Sequence, residues 1–163
     1  MRTAILTIST SVSAGASEDL SGRALAERAG SVGAEVVAHE ILPDERTAIE
    51  EALRRFSASQ AGVSLIFTTG GTGLTPDDVT PEATRAVIDR DAPGFSEAMR
   101  AEALRRTPMG ILSRGVSGIA GRTLIVNFPG NPKAIGELFP VIAPALAHAV
   151  ATLRRDGGRT DGH

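Results

Sequence analysis

The sequence predicts an α/β fold: a mostly parallel sheet with helices on both faces, to which a hairpin adds an antiparallel strand. Three short apolar runs, within residues 1–8, 63–67 and 123–128, are each followed by Ser, Thr, Gly or Pro. Such runs are typical of buried strands that end in a turn. Segments with helical periodicity separate them, and strands that alternate with helices favour parallel pairing.

Three segments have the apolar spacing of helices. Residues 49–56 repeat apolar side chains at i, i+3, i+4 and i+7, which places them on one buried face. Thr80 is expected to cap a second helix, with Pro81 as its first helical residue and an apolar face within residues 83–87. Residues 135–153 hold one apolar face for about five turns. Two prolines interrupt that stretch, so we expect a kink or two abutting helices.

Two further strands are weaker in the sequence. Residues 35–42 alternate only loosely and are polar enough for a less buried strand. A Gly-Arg pair separates residues 113–120 from the strand that begins at Thr123. This arrangement predicts an antiparallel hairpin. No internal repeat or linker divides the chain, so we expect one domain over residues 1–155 and a polar, disordered tail over residues 156–163.

The composition of the 163-residue chain excludes several classes of protein. It has no Cys, which excludes a disulfide framework and thiol chemistry, and its three His lack a metal-binding spacing. The net charge of −2 argues against nucleic acid as a partner. No apolar run approaches the ~20 residues of a membrane-spanning helix, and the first residues lack a signal-peptide pattern. We therefore expect a cytoplasmic protein without nucleic-acid or membrane partners.

The segment after the second apolar run has the composition of a phosphate-binding loop. Its glycines let the backbone approach a phosphate closely and direct several N–H groups at it. The candidate contacts are Thr69, Gly70, Gly71, Thr72 and Gly73. The loop is not a Walker loop, since no Gly-Lys-Ser/Thr follows, nor a dinucleotide fingerprint, since the third glycine is missing. A tight turn that requires positive φ is the structural alternative.

A second candidate follows the third apolar run. Asn131 has the position of an N-cap and Pro132 that of a first helical residue, so the helix directs its positive end at the carboxyl edge of the sheet. That end is an anion site with Lys133, the only Lys among 17 basic residues, in its first turn. The alternative is a capping turn whose Lys faces solvent in a chain that prefers Arg.

Two aspartates are candidate magnesium ligands. Asp44 follows the polar strand, and Asp78 follows the glycine loop. If they converge beside bound phosphates, they supply the hard oxygen ligands that Mg²⁺ requires. The alternative for each is a cap or turn residue. Asp77 is the alternative magnesium ligand to Asp78.

Arg114, preceded by Ser113, is a weaker candidate. Its guanidinium suits a phosphate or a carboxylate, but an Arg at the start of a strand is more often a surface charge.

Taken together, these motifs resemble the Mog/MoaB family of molybdenum-cofactor biosynthesis. The longest match joins residues 68–73 (TTGGTG) to residues 78–84 (DVTPEAT). Two matches precede it, at 19–22 (DLSG) and 42–45 (LPDE). Four others follow it in order, at 93–95 (PGF), 99–100 (MR), 112–114 (LSR) and 127–132 (NFPGNP). The similarity extends over nearly the whole chain, and several ordered motifs are more specific than one glycine loop.

The resemblance implies a three-layer α/β/α sandwich, usually a homotrimer, that binds molybdopterin. It also implies molybdopterin adenylyltransferase activity, in which ATP and molybdopterin give adenylyl-molybdopterin and pyrophosphate with Mg²⁺. The family's two important acidic residues fall on Asp44 and Asp78, as catalytic and metal-binding residues. Its phosphate and pterin loops fall on Gly70, Gly71, Thr72, Gly73, Ser113, Arg114, Pro129, Gly130, Asn131, Pro132 and Lys133.

One position departs from the family pattern. Many members carry an acidic residue directly after the Ser that ends the first strand, whereas this chain has Thr10 after Ser9. Ligand contacts of that carboxylate therefore do not transfer to this chain.

Two alternatives to the enzyme remain open at the level of sequence. The nearer is a MoaB-like protein that binds molybdopterin without efficient adenylylation. The farther is a nucleotide-binding module of the same fold, as in competence-associated proteins, which the short single-domain chain disfavours.

Overall fold

The structure, a computed structural model, describes residues 1–155. The strands are β1 (Arg2–Ile8), β2 (Glu35–Leu42), β3 (Leu65–Thr69), β4 (Arg90–Asp91), β5 (Ser117–Ala120) and β6 (Thr123–Phe128). The helices are α1 (Thr10–Ser13), α2 (Leu20–Ser31), α3 (Arg46–Ser57), α4 (Thr80–Val87), α5 (Gly94–Arg106) and α6 (Pro132–Arg154), with 3-10 turns at Ser59–Ala61 and Pro108–Leu112. The tail predicted over residues 156–163 lies outside the described residues.

The strands form one mixed sheet in the order β2-β1-β3-β6-β5-β4. The first four pair in parallel, whereas β5 is antiparallel to β6 and β4 is antiparallel to β5. The predicted α/β fold with an antiparallel addition is thus confirmed. The carboxyl ends of four parallel strands and the amino end of β5 lie at the same edge of the sheet, so their loops meet there.

Helices cover both faces of the sheet. On one face α2, α5 and α6 pack against side chains that include Phe67 and Phe128. Phe139 of α6 completes an aromatic cluster there, with ring centroids 5.5 to 5.9 Å apart. On the other face α3 and α4 pack against the alternate residues of the same strands, such as Leu6 and Ile66. This alternation makes each central strand apolar throughout, which explains the continuous runs in the sequence.

The long C-terminal helix α6 is continuous, so of the two predicted alternatives the pair of abutting helices was wrong, and a kink at the prolines stays a prediction. Pro140 and Pro144 both lie on its exposed side. The opposite side packs in the core over the whole length, and this burial holds the helix together where the prolines remove hydrogen bonds. The buried residues are Ile135, Leu138, Phe139, Ile142, Leu146 and Val150.

Helix α6 also corrects the statement that no segment approaches a membrane span. Within residues 1–155 it is the one helix that is long and apolar enough to cross a membrane by length and composition. Its apolar side is, however, the side that packs against the sheet. Core helices of this kind satisfy the same criteria of length and composition.

Several element boundaries differ from the prediction. The N-cap of α4 is Val79, one residue before the predicted Thr80, because the Thr80 hydroxyl donates a hydrogen bond to the Gly70 carbonyl (2.9 Å) instead of capping the helix. Of the apolar face predicted within residues 83–87, Ala86 was expected to be buried but is exposed, whereas Thr84 is buried. The hairpin strand β5 begins at Ser117, since the residues before it contact the glycine loop.

Candidate active site

The structure brings the predicted loops together at the carboxyl edge of the sheet. Asp44 follows β2, the glycine loop (residues 70–73) follows β3, and residues 129–133 follow β6. Ser113 and Arg114 precede β5 and reach the same edge because β5 runs antiparallel. A site at this edge is therefore assembled from four separate parts of the chain.

Positive φ angles shape the glycine loop, so the structural alternative accounts for two of its glycines. Gly70 and Gly71 have φ of +98° and +68°, a region that side chains with a Cβ disfavour. A Cβ at Gly70 would also collide with the Ile8 carbonyl, and one at Gly71 with the Thr80 hydroxyl. A tight turn after β3 thus requires glycine at both positions, whatever the loop binds.

The loop after β6 packs directly on the glycine loop. The Gly70 N–H donates to the Phe128 carbonyl (3.1 Å), and the Thr69 hydroxyl donates to the Pro129 carbonyl (2.8 Å). A Cβ at Gly130 would lie only 3.1 Å from the Gly70 Cα. Thr69 and Gly130 therefore hold the two loops together, in addition to any contact with a ligand.

The backbone of the glycine loop is oriented with its carbonyls towards the protein. The Gly71 carbonyl accepts from the Thr80 N–H (3.1 Å), and the Thr72 and Gly73 carbonyls accept from Arg114 (both 2.8 Å). In contrast, the N–H groups of Gly71, Thr72 and Gly73 donate to no residue within 1–155. Three successive backbone N–H groups without a protein acceptor are the type of donor that binds phosphate.

Arg114 fixes the glycine loop from the protein side. Its Nε donates to the Gly73 carbonyl, its Nη2 to the Asp78 carbonyl (2.7 Å), and its Nη1 pairs with the Glu82 carboxylate. The hydrogen bond from Arg114 holds the pKa of Glu82 below its ordinary value, and the same bond raises the pKa of Arg114. Every nitrogen of the guanidinium thus contacts protein, and the predicted contact with a substrate stays a prediction.

Asp44 precedes α3 without capping it. The N-cap of α3 is Glu45, and no side chain provides a capping hydrogen bond. Instead the Asp44 Oδ2 atom accepts from the backbone N–H and the hydroxyl of Thr10, both at 3.0 Å. Its Oδ1 atom accepts no hydrogen bond from residues 1–155 and lies 3.4 Å from the position of a Cβ on Gly71. The carboxylate therefore borders the glycine loop.

Asp78 borders the same loop from its other end. The N-cap of α4 is Val79, again without a capping side chain. The Oδ2 atom of Asp78 accepts from the backbone N–H (3.0 Å) and the hydroxyl (2.7 Å) of Thr75, and it lies 2.8 Å from the position of a Cβ on Gly73. Asp77, the alternative, is exposed and has no side-chain contact of this kind among the described residues.

Asp44 and Asp78 offer the hard oxygen donors that Mg²⁺ prefers, but a site with these two side chains needs further ligands from a substrate. Within residues 1–155, no group of three His, Asp or Glu side chains could hold a metal on its own. Mg²⁺ is commonly bound by one or two carboxylates, with substrate phosphates and water as the remaining ligands. Magnesium binding by Asp44 and Asp78, which border the glycine loop at Gly71 and Gly73, stays a prediction.

A pocket of about 340 Å³ opens beside the glycine loop. Five of the predicted residues line it, namely Thr72, Gly73, Ser113, Pro129 and Asn131. Its remaining walls are largely apolar and include Met109, Leu112 and Leu138. Its volume lies in the range of small-molecule sites, which combine apolar walls with a few polar groups. Asp44 and Asp78 do not line this pocket.

The predicted anion site at α6 has the local geometry expected for it. Asn131 caps the helix, since its Oδ1 atom accepts from the Lys133 N–H at 2.8 Å, and Pro132 is the first helical residue. The Lys133 side chain is exposed and forms no ion pair with another described residue. Whether an anion binds there stays a prediction.

One residue that supports the site was not singled out as a candidate from the sequence. Asn127 is 2% exposed, and its amide donates to the hydroxyls of Thr68 and Thr84 (both 3.0 Å) while its Oδ1 atom accepts from the Val116 N–H (3.1 Å). It joins β6 to β3, α4 and the segment before β5 directly below the loops. The sequence signal for this role is the single amide side chain among the apolar residues of β6, because a buried amide needs hydrogen-bond partners.

Comparison with known proteins places this arrangement in a family. Residues 4–148 match the model described as "Probable molybdopterin binding domain". The molybdopterin adenylyltransferase of Helicobacter pylori strain J99 is 40% identical over 148 residues, which are 90% of this chain and 84% of that protein. A crystal structure of the molybdopterin biosynthesis enzyme MoaB from Thermus thermophilus has a TM-score of 0.87 and 46% identity, and covers 93% of this chain and 95% of that one.

A longer relative contains the same domain. The molybdenum cofactor synthesis protein cinnamon of Drosophila melanogaster is 40% identical over 153 residues. The match covers 93% of this chain but only 25% of that protein.

Proposed function

The chain belongs to the family of molybdopterin-binding domains, and from that premise we infer that it is a molybdopterin adenylyltransferase of molybdenum cofactor biosynthesis. We propose ATP as its second substrate. In the reaction, a phosphate oxygen of molybdopterin forms a bond to the α-phosphorus of ATP. The bond from that phosphorus to the oxygen bridging to the β-phosphate breaks, and pyrophosphate leaves.

The observation that carries this function is the set of unused amides on the glycine loop. Three N–H groups, at Gly71, Thr72 and Gly73, donate to no residue within 1–155, while the corresponding carbonyls are hydrogen-bonded to the protein. A loop held in this orientation stabilises negative charge on a phosphate without reorganising during the reaction. Such positioning and charge stabilisation supply most of the catalysis in phosphoryl-group chemistry.

The site requires no general base. The attacking phosphate is already an anion, so no proton must be removed from it. In agreement, His39 is engaged elsewhere: its Nε2 atom lies 2.8 Å from the Asp19 carboxylate and 3.1 Å from the Thr7 hydroxyl. The work of the chain is therefore to align the two phosphates and to offset their charge.

Mg²⁺ is proposed as the cation, with Asp44 and Asp78 as its protein ligands. When bound, Mg²⁺ offsets negative charge on the phosphates of ATP. Thr10 and Thr75 hold one oxygen of each carboxylate, which fixes the two side chains on either side of the loop. The pocket beside the loop offers space for the ring system of one substrate.

Pyrophosphate release from ATP, Mg²⁺ and molybdopterin tests the function directly. We expect release that depends on all three components, with formation of adenylyl-molybdopterin detected by mass spectrometry. ATP without molybdopterin is the control for hydrolysis. Tight molybdopterin binding without pyrophosphate release above that control would contradict the proposal and support a MoaB-like binding protein instead.

We further propose a homotrimer, which is supported by the family resemblance alone. Light scattering after size exclusion tests it, and a mass of one or two protomers would contradict it. The cytoplasmic location stays a prediction from the sequence.

A further inference from the structure

Thr10 contacts Asp44 through a closed set of hydrogen bonds. The Thr10 N–H and hydroxyl both donate to the Asp44 Oδ2 atom, and the Asp44 N–H donates back to the Thr10 hydroxyl, each at 3.0 Å. The hydroxyl thus acts as donor to the carboxylate and acceptor from the backbone of the same residue. Among side chains, a Ser or Thr hydroxyl supplies both functions from one atom.

We propose that Thr10 is a positioning residue that sets the orientation of the Asp44 carboxylate towards the glycine loop. The inference rests on the proposed function, in which Asp44 holds Mg²⁺. With Oδ2 held by Thr10, the other oxygen, Oδ1, is the one that lies 3.4 Å from the position of a Cβ on Gly71. Loss of the hydroxyl leaves a single backbone N–H on the carboxylate, which lowers the barrier to its rotation.

Asp78 has a similar arrangement, which argues that the Thr10 contact is a feature of the site. The backbone N–H and hydroxyl of Thr75 both donate to one oxygen of Asp78, at 3.0 and 2.7 Å. The two pairs differ in origin. Thr75 lies three residues from its partner, whereas Thr10 lies 34 residues from Asp44 and reaches it because β1 and β2 are neighbours.

The Thr10 hydroxyl does not cap helix α1. The short helix α1 is capped by Ser9, whose Oγ atom accepts from the Val12 N–H (3.3 Å), so α1 does not depend on the side chain of Thr10. Thr10 is also exposed, and an exposed hydroxyl adds little to the stability of a folded chain. Its effect is therefore expected on the aspartate and not on the fold.

The Thr10 side chain that contacts Asp44 is also uncharged. A carboxylate in place of the Thr10 hydroxyl would lie beside the Asp44 Oδ2 atom and repel it. It would also be unable to donate a hydrogen bond to that atom. Threonine thus gives this chain a neutral partner for Asp44 where a carboxylate would add a second negative charge.

The test compares Thr10→Val, which removes the hydroxyl at nearly constant volume, with Thr10→Ser, which keeps it. Ser11→Ala is the matched control, because Ser11 lies in the same helix and its hydroxyl forms a hydrogen bond, among residues 1–155, with Ser9 alone. For each protein, kcat and both KM values are measured by pyrophosphate release. Mn²⁺ binding in the presence of ATP is followed by electron paramagnetic resonance, and crystal structures record the Asp44 side chain.

Thr10→Val is expected to lower kcat about tenfold and to weaken Mn²⁺ binding several-fold, with the KM for molybdopterin within about twofold and an unchanged melting temperature. Thr10→Ser and Ser11→Ala should match the wild type. In the crystal, Asp44 of Thr10→Val should leave the orientation that it has in the wild type.

An unchanged Asp44 orientation in Thr10→Val, or equal losses in Thr10→Val and Thr10→Ser, would overturn the inference. Absence of pyrophosphate release in the wild type would instead contradict the proposed function. In that case the orientation of Asp44 in the two Thr10 variants still decides the inference, because it does not depend on turnover.

Discussion

The guanidinium of Arg114 and the carboxylate of Glu82 form an ion pair that closes the glycine loop on its protein side. Arg114 approaches from the segment before β5, and Glu82 from the first turn of α4. The pair therefore ties together two parts of the chain that flank the loop. The N–H groups of Gly71, Thr72 and Gly73 take no part in these contacts and donate to no residue within 1–155.

This ion pair predicts a pH dependence of stability. Because the pKa of Glu82 is lowered in the folded state, its carboxylate stabilises the fold above the ordinary pKa of 4.5, and this contribution is lost as the pH falls through the lower folded value. Arg114 and Glu82 are 37% and 39% exposed, so the contribution is under about 1 kcal/mol. Glu82→Gln should lower the free energy of unfolding by that amount at pH 7, and this deficit should shrink as the pH falls below 4.5, as measured by urea titration.

The control for this prediction is Glu27→Gln. Glu27 is exposed and forms no ion pair with another residue in 1–155, so its substitution should have little effect at either pH. A deficit of equal size for Glu82→Gln at both pH values would contradict an electrostatic origin.

Substitution of either aspartate should affect turnover far more than binding of molybdopterin. Asp44→Ala and Asp78→Ala each remove a proposed Mg²⁺ ligand, so we expect kcat to fall about 100-fold or more. The Kd for molybdopterin, measured by calorimetry, should change by less than about threefold.

Asp77→Ala provides the matched control, since Asp77 neighbours Asp78 but is exposed. It should retain wild-type turnover. Equal losses of turnover and binding in Asp78→Ala, or a deficit in Asp77→Ala as large as in Asp78→Ala, would reject the assignment.

Gly33 and Gly70 both have a positive φ, but their substitution by alanine is expected to lower the free energy of unfolding by different amounts. Gly33 has φ of +81° and open space at its Cβ position, so Gly33→Ala should cost only about 1 kcal/mol of backbone strain. Gly70 has φ of +98°, and its Cβ would collide with the Ile8 carbonyl, which cannot move aside without disturbing β1. Gly70→Ala should therefore cost about 2–4 kcal/mol in a urea titration. Similar costs for the two variants would show that the loop relaxes more easily than its packing indicates.

Lys133 allows a test of the anion site at α6. If its ammonium contacts a substrate phosphate, Lys133→Ala should raise the KM of that substrate about fivefold at low ionic strength, and the effect should shrink with added salt. Arg85→Ala is the control for overall charge, because Arg85 is exposed in the last turn of α4, away from the carboxyl edge. Unchanged KM values for both substrates would mean that the single Lys reflects only the preference of this chain for Arg.

The central strands were predictable because they are buried on both faces, whereas the exposed two-residue strand β4 was not predicted. Continuous apolar runs such as residues 123–128 are typical of strands that helices cover on both faces of a sheet. Helices α2 and α5 were not predicted. Helix α2 offers small residues and few large apolar ones, and the apolar residues of α5 are spread around the helix, so neither has a clear buried face in the sequence.

The place of the site was predictable, but its internal contacts were not. The rule that ligands bind beyond the carboxyl ends of parallel strands brings Asp44 and the glycine loop to one edge. The hydrogen bonds between Thr10 and Asp44 depend instead on how far β1 and β2 extend past their last pair, which no local pattern encodes. The orientation of Arg114 towards protein likewise depends on Glu82, 32 residues away.

The order of the strands gives the two halves of the site unequal protection against local opening. Asp44 follows β2, which in the described part of the chain pairs with β1 alone at the border of the sheet, whereas the glycine loop follows β3 in its centre. Local opening of β2 would displace the Asp44 carboxylate while the glycine loop keeps its conformation. Amide hydrogen exchange should thus be faster in β2 than in β3, and a ligand that bridges both halves should slow exchange in β2 the most.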